Sequence, residues 1–155
     1  MQRIITTIRN METVEKELSS TEFGVVSMLL IKEHSFTQFA TNFVYQDKNV
    51  YIFIDDKELL RTIKYDSLAR FTLLKSKKVH KSTEANPNTL YHLFSITVTG
   101  IIREVEEKKT LKDITQSFVQ KYSGKLMLAD QASELKGKLL FIDTEEFLAF
   151  DEIGF

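Results

Sequence analysis

The chain has 155 residues, 43% hydrophobic, 28% charged and 11% aromatic, with one proline, five glycines and neither cysteine nor tryptophan, which is the make-up of one soluble globular domain. The absence of thiols excludes disulfides, thiolate zinc sites, iron–sulfur clusters and cysteine nucleophiles, and makes a reducing cytoplasm the expected compartment. Twenty-one basic against twenty-two acidic residues leave a net charge of −1, so no overall field draws the chain to nucleic acid or anionic lipid, and neither is expected as a partner.

The start shows neither the apolar core nor the small-residue cleavage site of a secretory signal. Ile4, Ile8, Met11, Val14 and Leu18 recur at spacings of three and four, which predicts an amphipathic N-terminal helix over residues 3–19, ended by Ser19, Ser20 and Thr21. Residues 23–31 are the longest apolar stretch, too short to cross a bilayer as a helix and interrupted by Ser27, and read as a buried strand. Residues 36–45 form the next strand, with Phe39, Thr41, Phe43 and Tyr45 on one face, and Asp47-Lys48-Asn49 turns the chain into a return strand over 50–54.

Asp55-Asp56 caps a short helix whose Leu59, Leu60 and Ile63 turn inward while Lys57, Arg61 and Lys64 turn outward. Residues 68–74 return to strand, and 75–89, with four lysines and the one proline, read as an exposed loop or hairpin tip. From Tyr91 alternation is strict: Phe94, Ile96 and Val98 point one way and Ser95, Thr97 and Thr99 the other, until Gly100 marks a bulge or bend in a strand running to Val105. A helix follows over 110–124, with Leu111, Ile114, Phe118 and Tyr122 on one face and Gly124 as its C-cap. Residues 126–137 have no clear pattern, a short helix being one reading. Two closing strands within 139–151 flank Thr144-Glu145-Glu146. The expected fold class is mainly β: a single domain over 1–155, in which six or seven antiparallel strands with flanking helices close into a barrel.

Few chemical motifs are present. There is no G-x-S-x-G, H-E-x-x-H or G-x-G-x-x-G, and Ser123-Gly124-Lys125 lacks the glycine and strand of a phosphate loop. His34, His80 and His92 lack metal-site spacing and read as surface histidines, Asp55-Asp56 and Glu145-Glu146 as caps or solvated charges, and Lys75, Lys77, Lys78 and Lys81 as a solvated loop. The cluster that stands out is Lys57, Arg61 and Lys64 on one face of a short helix, where it can hold a phosphate by charge-assisted hydrogen bonds.

The order of these elements, with Phe94-Ser95-Ile96-Thr97-Val98-Thr99-Gly100-Ile101-Ile102-Arg103-Glu104-Val105 and the closing Leu140-Phe141-Ile142-Asp143, resembles the pyridoxamine 5′-phosphate oxidase-like FMN-binding split barrels over about residues 10–151. The resemblance implies a homodimer with FMN in two clefts between the barrels, acting as an oxidoreductase on a small molecule. It implies that the backbone around Thr41, Asn42, Phe53 and Ile54 holds the ring edge, that Arg61, with Lys57, takes the phosphate, and that Ser95 reaches the partner's flavin. It assigns no catalytic side chain and no metal. There are three departures from the family pattern: Gln38 or Phe39 and Val44 replace an arginine and a lysine of the second strand, Asp55 replaces a threonine, and Leu68-Ala69 replaces an Asn-Pro. Two alternatives stand beside this reading. One is haem binding, as in the haem-utilisation branch of the superfamily, although no histidine follows His92. The other is a cofactor-free dimeric binding module.

Overall fold

The computed structural model describes residues 2–77, 89–122 and 137–155. Its strands are β1 (Arg3–Thr7), β2 (Phe23–Leu29), β3 (Phe36–Asn42), β4 (Val44–Gln46), β5 (Asn49–Ile54), β6 (Leu68–Ser76), β7 (Tyr91–Glu104) and β8 (Lys138–Gly154). Its helices are α1 (Met11–Ser20), α2 (Lys57–Thr62) and α3 (Lys108–Tyr122). One sheet runs β3-β2-β6-β7-β8-β5-β4, with β1 also paired to β8, and every pairing is antiparallel. Only Phe43 separates β3 from β4, so the two ends of this order meet at one residue and the sheet curls into a split barrel. Inside lie Val26, Phe71, Ile96, Val98, Ile52 and Leu140, and α1 adds Val14 and Leu18. A second cluster packs α3, through Ile114, Phe118 and Tyr122, against Val44, Tyr51 and Leu139.

The periodicity over 3–19 misplaced the start of the first helix. Residues Arg3–Thr7 form a strand pairing with β8, from Arg3 opposite Gly154 to Thr7 opposite Phe150. Ile4, Ile5, Thr6 and Thr7 are β-branched, lose side-chain freedom in a helix and suit an edge strand. Asn10 then starts α1, its side chain accepting from the Glu12 amide at 3.0 Å. The two closing strands are one 17-residue strand, β8, and the acidic turn predicted between them is a bulge. Thr99 pairs with Glu146 and Gly100 with Thr144, so Glu145 is the extra residue. Fourteen residues of β7 lie along β8, and that ladder overrides the local turn preference.

Other expectations match. Asp47 and Lys48 both have positive φ, 51° and 66°, as a tight hairpin with right-handed twist requires. Asp56 caps α2 by accepting from the Leu59 amide at 3.1 Å, and Phe94, Ile96 and Val98 are buried. The predicted Gly124 cap, residues 126–136 and residues 78–88 of the basic loop lie outside the described residues. Lys75 and Ser76 end β6.

Candidate functional site

The barrel splits between β3 and β5. On one side β3 pairs with β2; its other edge has no ladder partner among the described residues. β5 pairs with β8 from Val50 to Ile54 but with β4 only at Asn49, Val50 and Tyr51, so beyond Tyr51 its other edge has no ladder partner among the described residues. Val44 lies opposite Tyr51. Thr41 and Asn42 end β3, and Phe53 and Ile54 end β5, so the four residues expected at a flavin ring edge stand at the ends of the two strands that flank the split. Backbone amides and carbonyls free on both walls are the groups that can hold a planar heterocycle by its edge. The Thr41 hydroxyl donates to the Asn42 carbonyl at 3.1 Å and the Asn42 side-chain amide to the Glu22 carbonyl at 3.2 Å.

The kink that opens the split is held by two residues the sequence reading used only as helix-face positions or passed over. At Phe43 the chain leaves one ladder for the other, and its peptide groups lose strand partners. Tyr122 Oη accepts from the Phe43 amide at 3.1 Å and lies 2.7 Å from both the Phe43 and Glu22 carbonyls, its single proton serving one at a time. Lys121 Nζ donates to the Phe43 carbonyl at 3.0 Å and lies 3.9 Å from the Phe43 ring centroid. Tyr122 is buried, and desolvation raises its pKa. Desolvation pushes the Lys121 amine down to about 8, against a smaller opposing effect of Glu22.

That shift has a sign in the stability profile. A lysine whose folded pKa is depressed binds fewer protons folded than unfolded between pH 8 and 10.5, so folding becomes more favourable as pH rises through that window. Above about pH 10 the raised pKa of Tyr122 works the other way, because the unfolded phenol ionises first. Between pH 8 and 10 the unfolding free energy should therefore rise by about 1 kcal/mol after allowance for screening of a partly exposed group. Lys121→Met should flatten that rise in urea titrations; an equal rise in the variant would remove Lys121 as its source.

Among the expected phosphate residues, Arg61 stands on α2 with its side chain 75% exposed and paired to Glu58 at 2.6 Å. Lys57 opens α2 three residues beyond Ile54 and has no ion pair among the described residues, and Asp55 lies between them. Ser95 is not part of this group within one protomer. It points outward on β7, opposite Leu74, with β6 and β2 between it and β3. That is three strand spacings, roughly 14 Å, from the split. His92, read as a surface histidine, is 18% exposed and its Nε2 lies 2.8 Å from Asp151 Oδ1, with Lys77 3.6 Å from the same oxygen. Its partner is 59 positions away and gave no local signal. No group of three or more metal-ligating side chains is found among the described residues, and none of their helices is long and apolar enough to cross a membrane.

No family profile and no curated protein matches the chain. Solved structures do. A candidate 5-nitroimidazole antibiotic resistance protein from Bacteroides thetaiotaomicron superposes with a TM-score of 0.72 at 12% identity, over 99% of this chain and 90% of the other. The FAD binding protein of Mycobacterium smegmatis gives 0.61 at 16% identity over 93% and 97%. The haem storage protein HutZ of Vibrio cholerae gives 0.62 at 9% over 91% and 94%. At such identities the likeness establishes the fold.

Proposed function

From the pyridoxamine 5′-phosphate oxidase-like split-barrel fold that the chain adopts, we propose a dimeric flavoprotein that binds FMN in the split and acts as an oxidoreductase on a small molecule in the cytoplasm. The observation that carries this reading is the open split itself, with Thr41 and Asn42 at the end of β3, Phe53 and Ile54 at the end of β5 beyond its pairing with β4, and Lys57, which has no ion pair among the described residues, opening α2. These groups fit a flavin: free backbone for the ring edge, cations on α2 for the phosphate. When bound, the flavin supplies the hydride chemistry. The chain's part is to orient the ring by backbone hydrogen bonds, to exclude water with the apolar walls around Phe53 and Ile54, and to bring Ser95 of the partner copy to the site. FAD and haem binding by proteins of this fold favours the same pocket-bearing architecture. Haem is the second reading, supported by the half-buried His92, whose carboxylate partner Asp151 is the kind of neighbour that orients an imidazole ligand.

The test is the visible spectrum of the purified protein, followed by titration with FMN, FAD, riboflavin and haem. A flavin spectrum and preference for FMN over riboflavin are expected. Arg61→Glu, which reverses the charge and removes the Glu58 pairing, should weaken FMN at least about tenfold and leave riboflavin unaffected. Equal FMN affinity in the variant would move the phosphate away from α2. A sharp Soret shift lost in His92→Ala would favour haem, and a colourless protein indifferent to all four ligands would overturn the cofactor reading.

A further inference from the structure

Away from the residues proposed to hold a flavin, a hollow of about 340 Å³ lies between α1, β4 and α3. Its polar lining is Ser19 from α1, Tyr45 and Gln46 from β4, and Ser117, Gln120 and Lys121 from α3. Some of these groups are already engaged: Tyr45 Oη donates to Glu15 Oε2 at 3.1 Å, and Ser117 Oγ lies 2.7 Å from Gln46 Oε1 and 3.1 Å from the Asp113 carbonyl, its one proton serving one at a time. The Ser19 hydroxyl, the Gln120 amide and the NH₂ group of Gln46 have no protein partner among the described residues. They offer a guest neutral donors and acceptors, and among the described residues no carboxylate lines the hollow.

The reactive group of this set is Lys121. Its Nζ lies 3.0 Å from the Phe43 carbonyl and 3.5 Å from the Leu18 carbonyl. Two carbonyls occupy two N–H groups, and a neutral amine has two, so loss of the third proton frees a lone pair without breaking either contact. Desolvation acts in the same direction and brings the amine down to about 8, against the smaller effect of Glu22. About a quarter of it is then neutral at pH 7.5, compared with roughly a thousandth of an ordinary lysine. A desolvated lysine beside a polar hollow is the arrangement in which an amine attacks a carbonyl carbon.

The surroundings select the product. An acyl group would leave an uncharged amide beside the Phe43 ring, whose centroid is 3.9 Å from Nζ, and would forfeit the cation–π contact. A protonated imine keeps the charge and one N–H for the Phe43 carbonyl, giving up only the longer contact to Leu18. The step balances without oxidant or reductant. The lone pair forms a C–N bond to the aldehyde carbon, two hydrogens leave with the carbonyl oxygen as water, and the remaining hydrogen stays on nitrogen with the positive charge.

We propose that Lys121 is a nucleophile that forms an imine with small, uncharged, hydroxylated aldehydes admitted to the hollow between α1, β4 and α3. The inference uses none of the groups assigned to the flavin.

The test uses the full chain at pH 7.5 with glycolaldehyde and, separately, propionaldehyde as probes. Adducts are fixed with sodium cyanoborohydride and read at each lysine by peptide mass spectrometry. Glycolaldehyde should modify Lys121 at least about tenfold faster than the exposed Lys48, and this excess should shrink as pH rises from 8 to 10 and ordinary lysines become neutral. Lys121 should also favour glycolaldehyde over propionaldehyde at least about threefold more than Lys48 does, and Gln46→Leu should bring that ratio to about one. A Lys121 rate no greater than that of Lys48 overturns the nucleophile. A fast Lys121 with no preference for the hydroxylated aldehyde in the parent protein overturns the hollow as the recognition site, and the flavin titration reads the cofactor proposal separately.

Discussion

Replacing Phe43 with alanine should remove about 3–5 kcal/mol of stability and, with it, flavin retention. Phe43 is fully buried, its ring centroid 4.4 Å from that of Phe71, and the Lys121 ammonium lies over the Phe43 ring at 3.9 Å from its centroid. Truncation leaves a cavity at the one residue that joins the β2–β3 ladder to the β4–β5 ladder, so the loss is of geometry as well as of buried area. Without the ring, the Lys121 and Tyr122 contacts to the Phe43 peptide groups have no fixed target, and the walls formed by Thr41–Asn42 and Phe53–Ile54 lose their spacing. Phe43→Leu keeps most of the volume and should cost less than about 1.5 kcal/mol. Urea unfolding of the three proteins, with flavin titration of the folded fraction, checks this. A loss below about 1 kcal/mol in Phe43→Ala would mean that the kink is held by the backbone contacts alone.

Gly100→Val should be comparably damaging, for a steric reason. A Cβ at Gly100 would collide with the carbonyl oxygen of Asp143 on the neighbouring strand, with the Ile142 side chain 2.9 Å away. The obstacle is backbone, which can yield only by opening the β7–β8 ladder at its bulge. That ladder is the longest in the sheet and carries Ile96, Val98, Ile102, Leu140 and Ile142 into the core. We expect a loss of roughly 3 kcal/mol or more, or accumulation as insoluble protein, because overpacking against backbone lies at the severe end of such substitutions. Gly100→Ala should lose less but still fall in melting temperature by several degrees. A valine variant as stable as the parent would show that the bulge relocates freely.

The measurements bear on one question, whether the split is a built feature or a gap. The residues that hold it open spend buried hydrogen-bonding groups and a desolvated lysine on one peptide unit. Burial of a lysine at reduced pKa is unfavourable by itself. Its ammonium is held at the kink by the Phe43 carbonyl and ring.

Much of this was legible in the residues alone, where the cause is local. The alternation from Phe94 to Thr99, the aspartate cap of α2, the Asp47-Lys48 hairpin and the glycine at the bulge each depend on neighbours a few positions away. The resemblance carried by element order led to the fold. Long-range pairing settled the rest. Residues 3–7 have a helical spacing of isoleucines, but the free edge of β8 claims them as a strand. Thr144 and Glu146 separate two apolar runs in the sequence, but β7 pairs with both and holds them in one strand, with Glu145 the extra residue of a bulge. Tyr122 and Lys121 reach Phe43 across 79 and 78 positions, and His92 reaches Asp151 across 59. Periodicity reports which face of an element is buried. It is silent on which distant group satisfies an unpaired peptide or charge, because that choice is made only when the sheet curls and brings the two ends of its strand order together at Phe43.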